Sequence, residues 1–174
     1  MHFINAMFYV AIAFSSLLQG PSGFEWHKKS TFSTDHQVEF PGIVLESGVY
    51  TIRLRESSEK RSSVQILNQD ETQLLATVLA VPDHRVPPDD NSEFTFHVVK
   101  SAGPQPVQSW YFFGDLIGLE FVYPAPRAKE IAKESDTHVM ASNIGKDAVI
   151  LAVTPKGKEI VIDEPLTQTA RRKP

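Results

Sequence analysis

From residue 31 to residue 124 the dominant pattern is alternation of apolar with polar residues, not the three-to-four spacing of a helix. In VYTIRLRE (49–56), Tyr50, Ile52 and Leu54 fall on one side and Thr51, Arg53 and Arg55 on the other. A period of two marks a strand with one buried face, because successive side chains point to opposite faces of a sheet. EFTFHVVK (93–100) repeats the pattern, with Phe94, Phe96 and Val98 inward and His97 among the outward residues. LLATVLAV (74–81) is apolar on both faces, as expected of a strand near the middle of a sandwich. SVQIL (63–67), SWYFF (109–113) and LEFVYP (119–124) are shorter strands, and TFSTDHQVEF (31–40) supplies one or two at an edge.

Turn chemistry separates these runs. Pro41-Gly42 suits the two central positions of a type II turn. Glu46-Ser47-Gly48 suits a three-residue hairpin in which Gly48 takes positive φ and the Tyr50 ring enters the core. Residues 68–71 form a polar turn. After residue 124 the period changes. APRAKEIAKES (125–135) has helical spacing, a proline suited to the first turn and only a thin apolar stripe, which predicts a surface helix. A polar linker then leads to DAVILAVTPKGKEIVID (147–163), a hairpin turning at residues 155–158. The fold class is therefore mostly β: an antiparallel β-sandwich or open barrel with one C-terminal surface helix and a closing hairpin. Residues 23–124 form the sandwich domain, and residues 125–174 pack on it or are appended to it.

The first 24 residues carry no charged side chain, and residues 3–18 are apolar. That length is short for a membrane span and right for the core of a secretory signal, followed here by the small residues QGPSG. A signal peptide over residues 1–22 is expected, with the mature chain beginning between Gln19 and Glu25 in the periplasm or outside the cell. The alternative is an uncleaved N-terminal membrane anchor. The mature chain is expected to have no membrane span.

Of 174 residues none is cysteine, which excludes disulfides, thiol catalysis, iron–sulfur clusters and thiolate zinc sites. A net charge of −4 with scattered basic residues argues against nucleic acid as a partner.

VEFPGIVLESGVYTIRL, ILNQDETQLLATVLAVPDHR and WYFFGDLIGLEFVYP together resemble a family of exported bacterial proteins of unassigned function. That family repeats the pattern V-x-x-P-G-x-V-L-x-x-G-x-Y, a strand and turn close to ATILAIPDYR, and a block of the form G-D…E-F-V-Y-P. The likeness spans about residues 38–124, and the closing hairpin fits as well. A weaker resemblance is to the prealbumin-like repeats attached to carboxypeptidases and outer-membrane receptors. Both imply an exported β-sandwich, and neither supplies a catalytic residue.

Candidate chemistry gathers in two places. VPDHRVPPDD (81–90) joins Asp83, His84 and Arg85 between prolines. An enzyme would use Asp83 to orient His84 as a general base. Neighbours in an extended chain point apart, however, and no G-x-S-x-G nucleophile motif is present. The plainer reading is a rigid surface crossing stiffened by proline, with Arg85 pairing with Asp83 or Asp89. The second place is Trp110 and Tyr111, whose rings would stack on a sugar if exposed and pack in the core if not. The six histidines lack metal-ligand spacing, and PPDDNSE lacks the spacing of a calcium loop, so no metal or cofactor is expected. The function expected is an exported, non-catalytic module that binds a protein or glycan partner at the cell envelope. The alternatives are a hydrolase-like or metal-dependent enzyme using Asp83, His84 and Arg85, and a carbohydrate-binding module using the rings near Trp110.

Overall fold

A computed structural model describes residues 28–57, 61–84, 93–112, 117–143 and 149–163. The expected signal segment, Arg85 and the rest of the proline-rich crossing lie outside the described residues. The strands are β1 (Lys29–Thr34), β2 (Val38–Phe40), β3 (Ile43–Leu45), β4 (Gly48–Ser57), β5 (Ser62–Asn68), β6 (Leu74–His84), β7 (Phe94–Phe96), β8 (Gln105–Tyr111), β9 (Ile117–Phe121) and β10 (Tyr123–Pro124). The helix α1 (Ala125–Ser135) follows, then β11 (Val139–Ser142), β12 (Ile150–Val153) and β13 (Glu159–Asp163).

The chain is a β-sandwich, as its alternation predicts. Nine strands form one sheet in the order β1-β4-β5-β6-β9-β8-β2-β3, with β7 also on β8. Four form a second sheet, β10-β11-β12-β13. Both sheets are mixed, not purely antiparallel, because β2 runs parallel to β8 and β10 parallel to β11. The large sheet curls until side chains from its two ends touch over the core, without the strands pairing: the Phe32 ring on β1 lies 5.0 Å from Phe94 on β7 and 5.9 Å from Phe40 on β2. One continuous core runs from Phe40, Ile52 and Trp110 through Phe121 and Tyr123 to Ile131, Val139 and Val153.

The helix occupies the predicted span and ends at Asp136, which takes a left-handed conformation (φ 56°). Its thin stripe (Ala125, Ala128, Ile131 and Ala132) is fully used against the core. A fork-like ion pair adds to this docking: Arg127 donates from Nε and Nη2 to the two carboxylate oxygens of Glu39, at 2.8 and 2.7 Å. Strand β11 lies within the stretch read as a polar linker. Its alternating Val139 and Ala141 are buried, and four residues were too few for the period to stand out.

The turns divide in the same way. Gly42 has φ +80° between the paired Phe40 and Ile43, as the type II turn requires, and Gly157 has φ +76° in the closing hairpin. Gly48 is not among the glycines with positive φ, which corrects the expectation there. It is needed for space: a Cβ on it would stand 3.3 Å from the Tyr50 hydroxyl, because that ring folds back so that its O–H donates to the Glu46 carbonyl at 3.0 Å. The ring is half-buried, not buried.

Three further expectations change. Strand β7 stops at Phe96, so the alternation breaks: Val98 is 77% exposed and His97 turns inward to 2%. Strand β6 lies mid-sheet as expected, but its first half is open, with Leu74 51% exposed. The same strand continues past Val81 through Pro82 to His84. Proline is tolerated there because β5 has already ended at Ser62, opposite Ala80, so the missing N–H faces no partner strand among the described residues.

Candidate functional site

The end of β6 pairs with β9, and β9 with β8, in a register that sets two rows across the strands. Asp83, Gly118 and Tyr111 form one row, and Val81, Glu120 and Ser109 the next. Because the side-chain period is two, both rows lie on the same face of the sheet. The opposite face carries Ala80, Leu119, Trp110 and Phe121, all in the core.

Gly118 makes the first row possible. A Cβ on it would lie 2.4 Å from Tyr111 Cδ1 and 2.8 Å from the Trp110 carbonyl. The Tyr111 ring lies across the bare backbone of the middle strand, and its hydroxyl donates to Asp83 Oδ2 on the strand beyond. Ser109 Oγ donates to the same oxygen at 2.8 Å. The other oxygen, Oδ1, accepts the backbone N–H of His84 at 2.8 Å. One carboxylate thus takes three donors from two strands.

Glu120 lies beside this network, 9% exposed. Burial, and next the negative charge of Asp83, push its carboxyl up to about 8, with a hydrogen bond from Gln108 acting the other way. Gln108 reaches it through a bulge, since Thr95 pairs with Ser109 and Phe96 with Val107, leaving Gln108 as the extra residue. Burial and the bond to Asp83 also raise the Tyr111 phenol.

Two carboxyls on neighbouring strands, one of them pushed up by burial, have the chemistry of an acid–base pair. The hydroxyls of this network are closed off, with Ser109 0% exposed and Tyr111 5%, and the half-buried Asp83 accepts three hydrogen bonds from the protein.

Of the residues singled out in the sequence, the fold brings together Asp83 and Tyr111. His84 is exposed at the end of β6, and only its backbone engages Asp83. Trp110 is 0% exposed, edge-on to Phe112 at 4.7 Å, and presents no face to a sugar. Of the network's other members, Gly118 and Glu120 lie in the G-D…E-F-V-Y-P block without having been singled out as site residues, and Ser109 carried no sequence signal beyond alternation. Among the described residues no cluster of three or more histidine and carboxylate side chains could hold a metal ion.

A different surface is left open where the curled sheet fails to close. Between β1 on one side and β7 with β2 on the other lies a cleft of about 260 Å³, lined chiefly by Phe32, Phe40, Phe94, Phe96, Val38 and Val107. Phe32, Phe94 and Phe96 are only half-buried. Ser30 Oγ bridges to Glu93 at 2.8 Å at one end of this seam. At the other end His36 Nε2 meets Gln105 Oε1 at 3.0 Å, while its Nδ1 is 2.6 Å from Asp35. The Asp35 carboxylate and the Gln105 bond raise the His36 pKa. None of these phenylalanines stood out in the sequence, since Phe94 and Phe96 read as ordinary inward strand residues and Phe32 and Phe40 as parts of edge strands.

Comparison of the chain with protein-family models, curated proteins and solved structures finds no match.

Proposed function

We propose that this chain is an exported, non-catalytic β-sandwich module that binds a partner at the cell envelope through the seam between β1 and β7. The observation that carries the reading is the row of half-buried rings, Phe32, Phe94 and Phe96, along an unclosed edge of the core. Apolar surface kept at a cleft marks a place where another molecule completes the burial. Export is supported by the uncharged apolar stretch over residues 3–18 and by the resemblance of residues 38–124 to a family of exported bacterial proteins. Among the described residues no helix is long and apolar enough to cross a membrane. A second reading, catalysis at the carboxylate row, draws on the raised Glu120 beside Asp83 and is weakened by the burial of Ser109 and Tyr111.

Two measurements test the proposal. Anilinonaphthalene sulfonate fluorescence should rise with the folded chain and fall back in Phe96→Ser; an unchanged signal in that variant would remove the seam as the binding surface. Mass spectrometry of the protein recovered from its native host should find a first residue between Gln19 and Glu25. A chain retaining Met1 in the membrane fraction would overturn the export reading.

A further inference from the structure

We infer that the occupant of the seam is an extended segment of a partner protein, added as a strand antiparallel to both β1 and β7. The inference rests on the binding reading above and names its partner.

Strand direction supplies the first argument. Following the pairings β1-β4-β5-β6-β9-β8-β7, every neighbour is antiparallel. Seven strands in this path leave β1 and β7, its two ends, running the same way. They cannot close on each other in the antiparallel pattern of the rest. One more strand, antiparallel to both, restores the alternation and makes eight, a number whose interior side chains can fill.

Backbone polarity supplies the second. Lys28 O accepts from Leu54 N–H at 2.8 Å, so Lys28, Ser30, Phe32 and Thr34 direct their backbone groups to β4. The groups of Lys29, Thr31 and Ser33 therefore face the seam. On β7, Glu93 O accepts from Tyr111 N–H at 2.7 Å and Thr95 pairs with Ser109, which leaves Phe94 and Phe96 facing the seam. Among the described residues no strand pairs with either edge. Unpaired edges on both sides of an apolar floor are what strand addition uses: main-chain bonds supply affinity, and alternate side chains enter the cleft.

Size supplies the third. At about 260 Å³ the cleft lies below the range of roughly 300–1,000 Å³ typical of small-molecule pockets. It suits the one or two apolar side chains that a short strand would insert. From Ser30 to Thr34 the edge is about 13 Å long, matching four or five residues at roughly 3.3 Å each. The exposed side chains of Lys29, Thr31 and Ser33 give the outer face of the pairing a polar character. The partner segment should therefore alternate apolar inward residues with polar outward ones.

The probe is a synthetic peptide alternating valine and threonine with lysine at each end, titrated into the full chain. A second peptide carries N-methyl groups on alternate residues, which removes donors without removing apolar surface. Expected is at least tenfold weaker binding of the methylated peptide, with amide exchange at Thr31, Ser33, Phe94 and Phe96 slowed at least tenfold by the unmodified one. Thr31→Pro removes one seam-facing donor from an edge strand and spares the β4 ladder. It should weaken peptide binding and leave anilinonaphthalene sulfonate binding unchanged. Equal binding of both peptides without amide protection would overturn strand addition while leaving the seam as an apolar binding site. Failure of the peptides and of the dye alike would overturn both readings.

Discussion

The carboxylate row on β6, β9 and β8 and the seam between β1 and β7 belong to one sheet and depart from a simple sandwich in opposite directions. The row places ionisable groups where apolar ones are the norm, and every hydroxyl there is bound within the protein. The seam places phenylalanines where polar ones are the norm, with nothing in the described chain covering them. Burying a polar group is costly unless it finds a partner, so a fully bonded row reads as structure. Apolar surface left in water costs free energy that another surface can recover, which is the ground on which the seam is proposed as an interface. Chemical reactivity alone would have ranked the two the other way.

The sharpest way to break the row is through Gly118. Gly118→Val forces Tyr111 off the middle strand and should cost about 3 kcal/mol, the upper end of overpacking effects, measured by urea unfolding. A cost below about 0.5 kcal/mol, ordinary for surface positions, would show that the ring does not lie where the row requires it.

Next in size is a dependence on pH. Glu120 binds its proton more tightly folded than unfolded, so its contribution is complete below the unfolded value and is lost as pH rises towards about 8. Burial holds His97 down at about 4, so its contribution is complete above the ordinary histidine value and is lost as pH falls towards about 4. Between the ordinary glutamate and histidine values the two oppose each other. Above pH 6.5 the buried Glu120 dominates, the exposed His36 acting in the same direction, and stability should fall by about 2 kcal/mol by pH 8, at about 1.4 kcal/mol per pH unit for Glu120. Glu120→Gln should flatten that limb. A parent protein equally stable at pH 6.5 and pH 8 would contradict the burial of this carboxyl.

A hydroxyl exchange then compares the two regions directly. Tyr111→Phe takes a donor from Asp83 and should cost about 1.5 kcal/mol, the lower range for a hydrogen bond to a charged group. Phe96→Tyr adds a hydroxyl beside water at the seam and should change stability by less than about 0.5 kcal/mol. Equal costs would erase the distinction between a closed network and an open surface.

The smallest effect belongs to His84→Ala. The ring is exposed and only the backbone N–H engages Asp83, so stability should move by less than about 0.5 kcal/mol in thermal or urea unfolding. A larger loss would give the imidazole a part in the row.

What could be read from the sequence, and what could not, follows the range of the interactions. The strand at residues 49–56, the turns at Gly42 and Gly157 and the helix at residues 125–135 were legible because each is set within a few residues, by alternation, turn chemistry or helical spacing. Gly48 was misread because its role depends on a ring two residues away folding back over it, not on its own φ. His97 was misread because a period of two holds only while the strand lasts, and β7 ends one residue earlier. Asp83 and Tyr111 were singled out separately, but their union over Gly118 depends on the pairing of three strands distant in the chain. Local patterning thus determined that this protein is a β-sandwich with one helix and a closing hairpin. Only tertiary structure decided that Asp83 is satisfied by hydroxyls from a strand distant in the chain while the phenylalanines stand at an open seam, because register and curl are properties of paired strands and no single strand carries them.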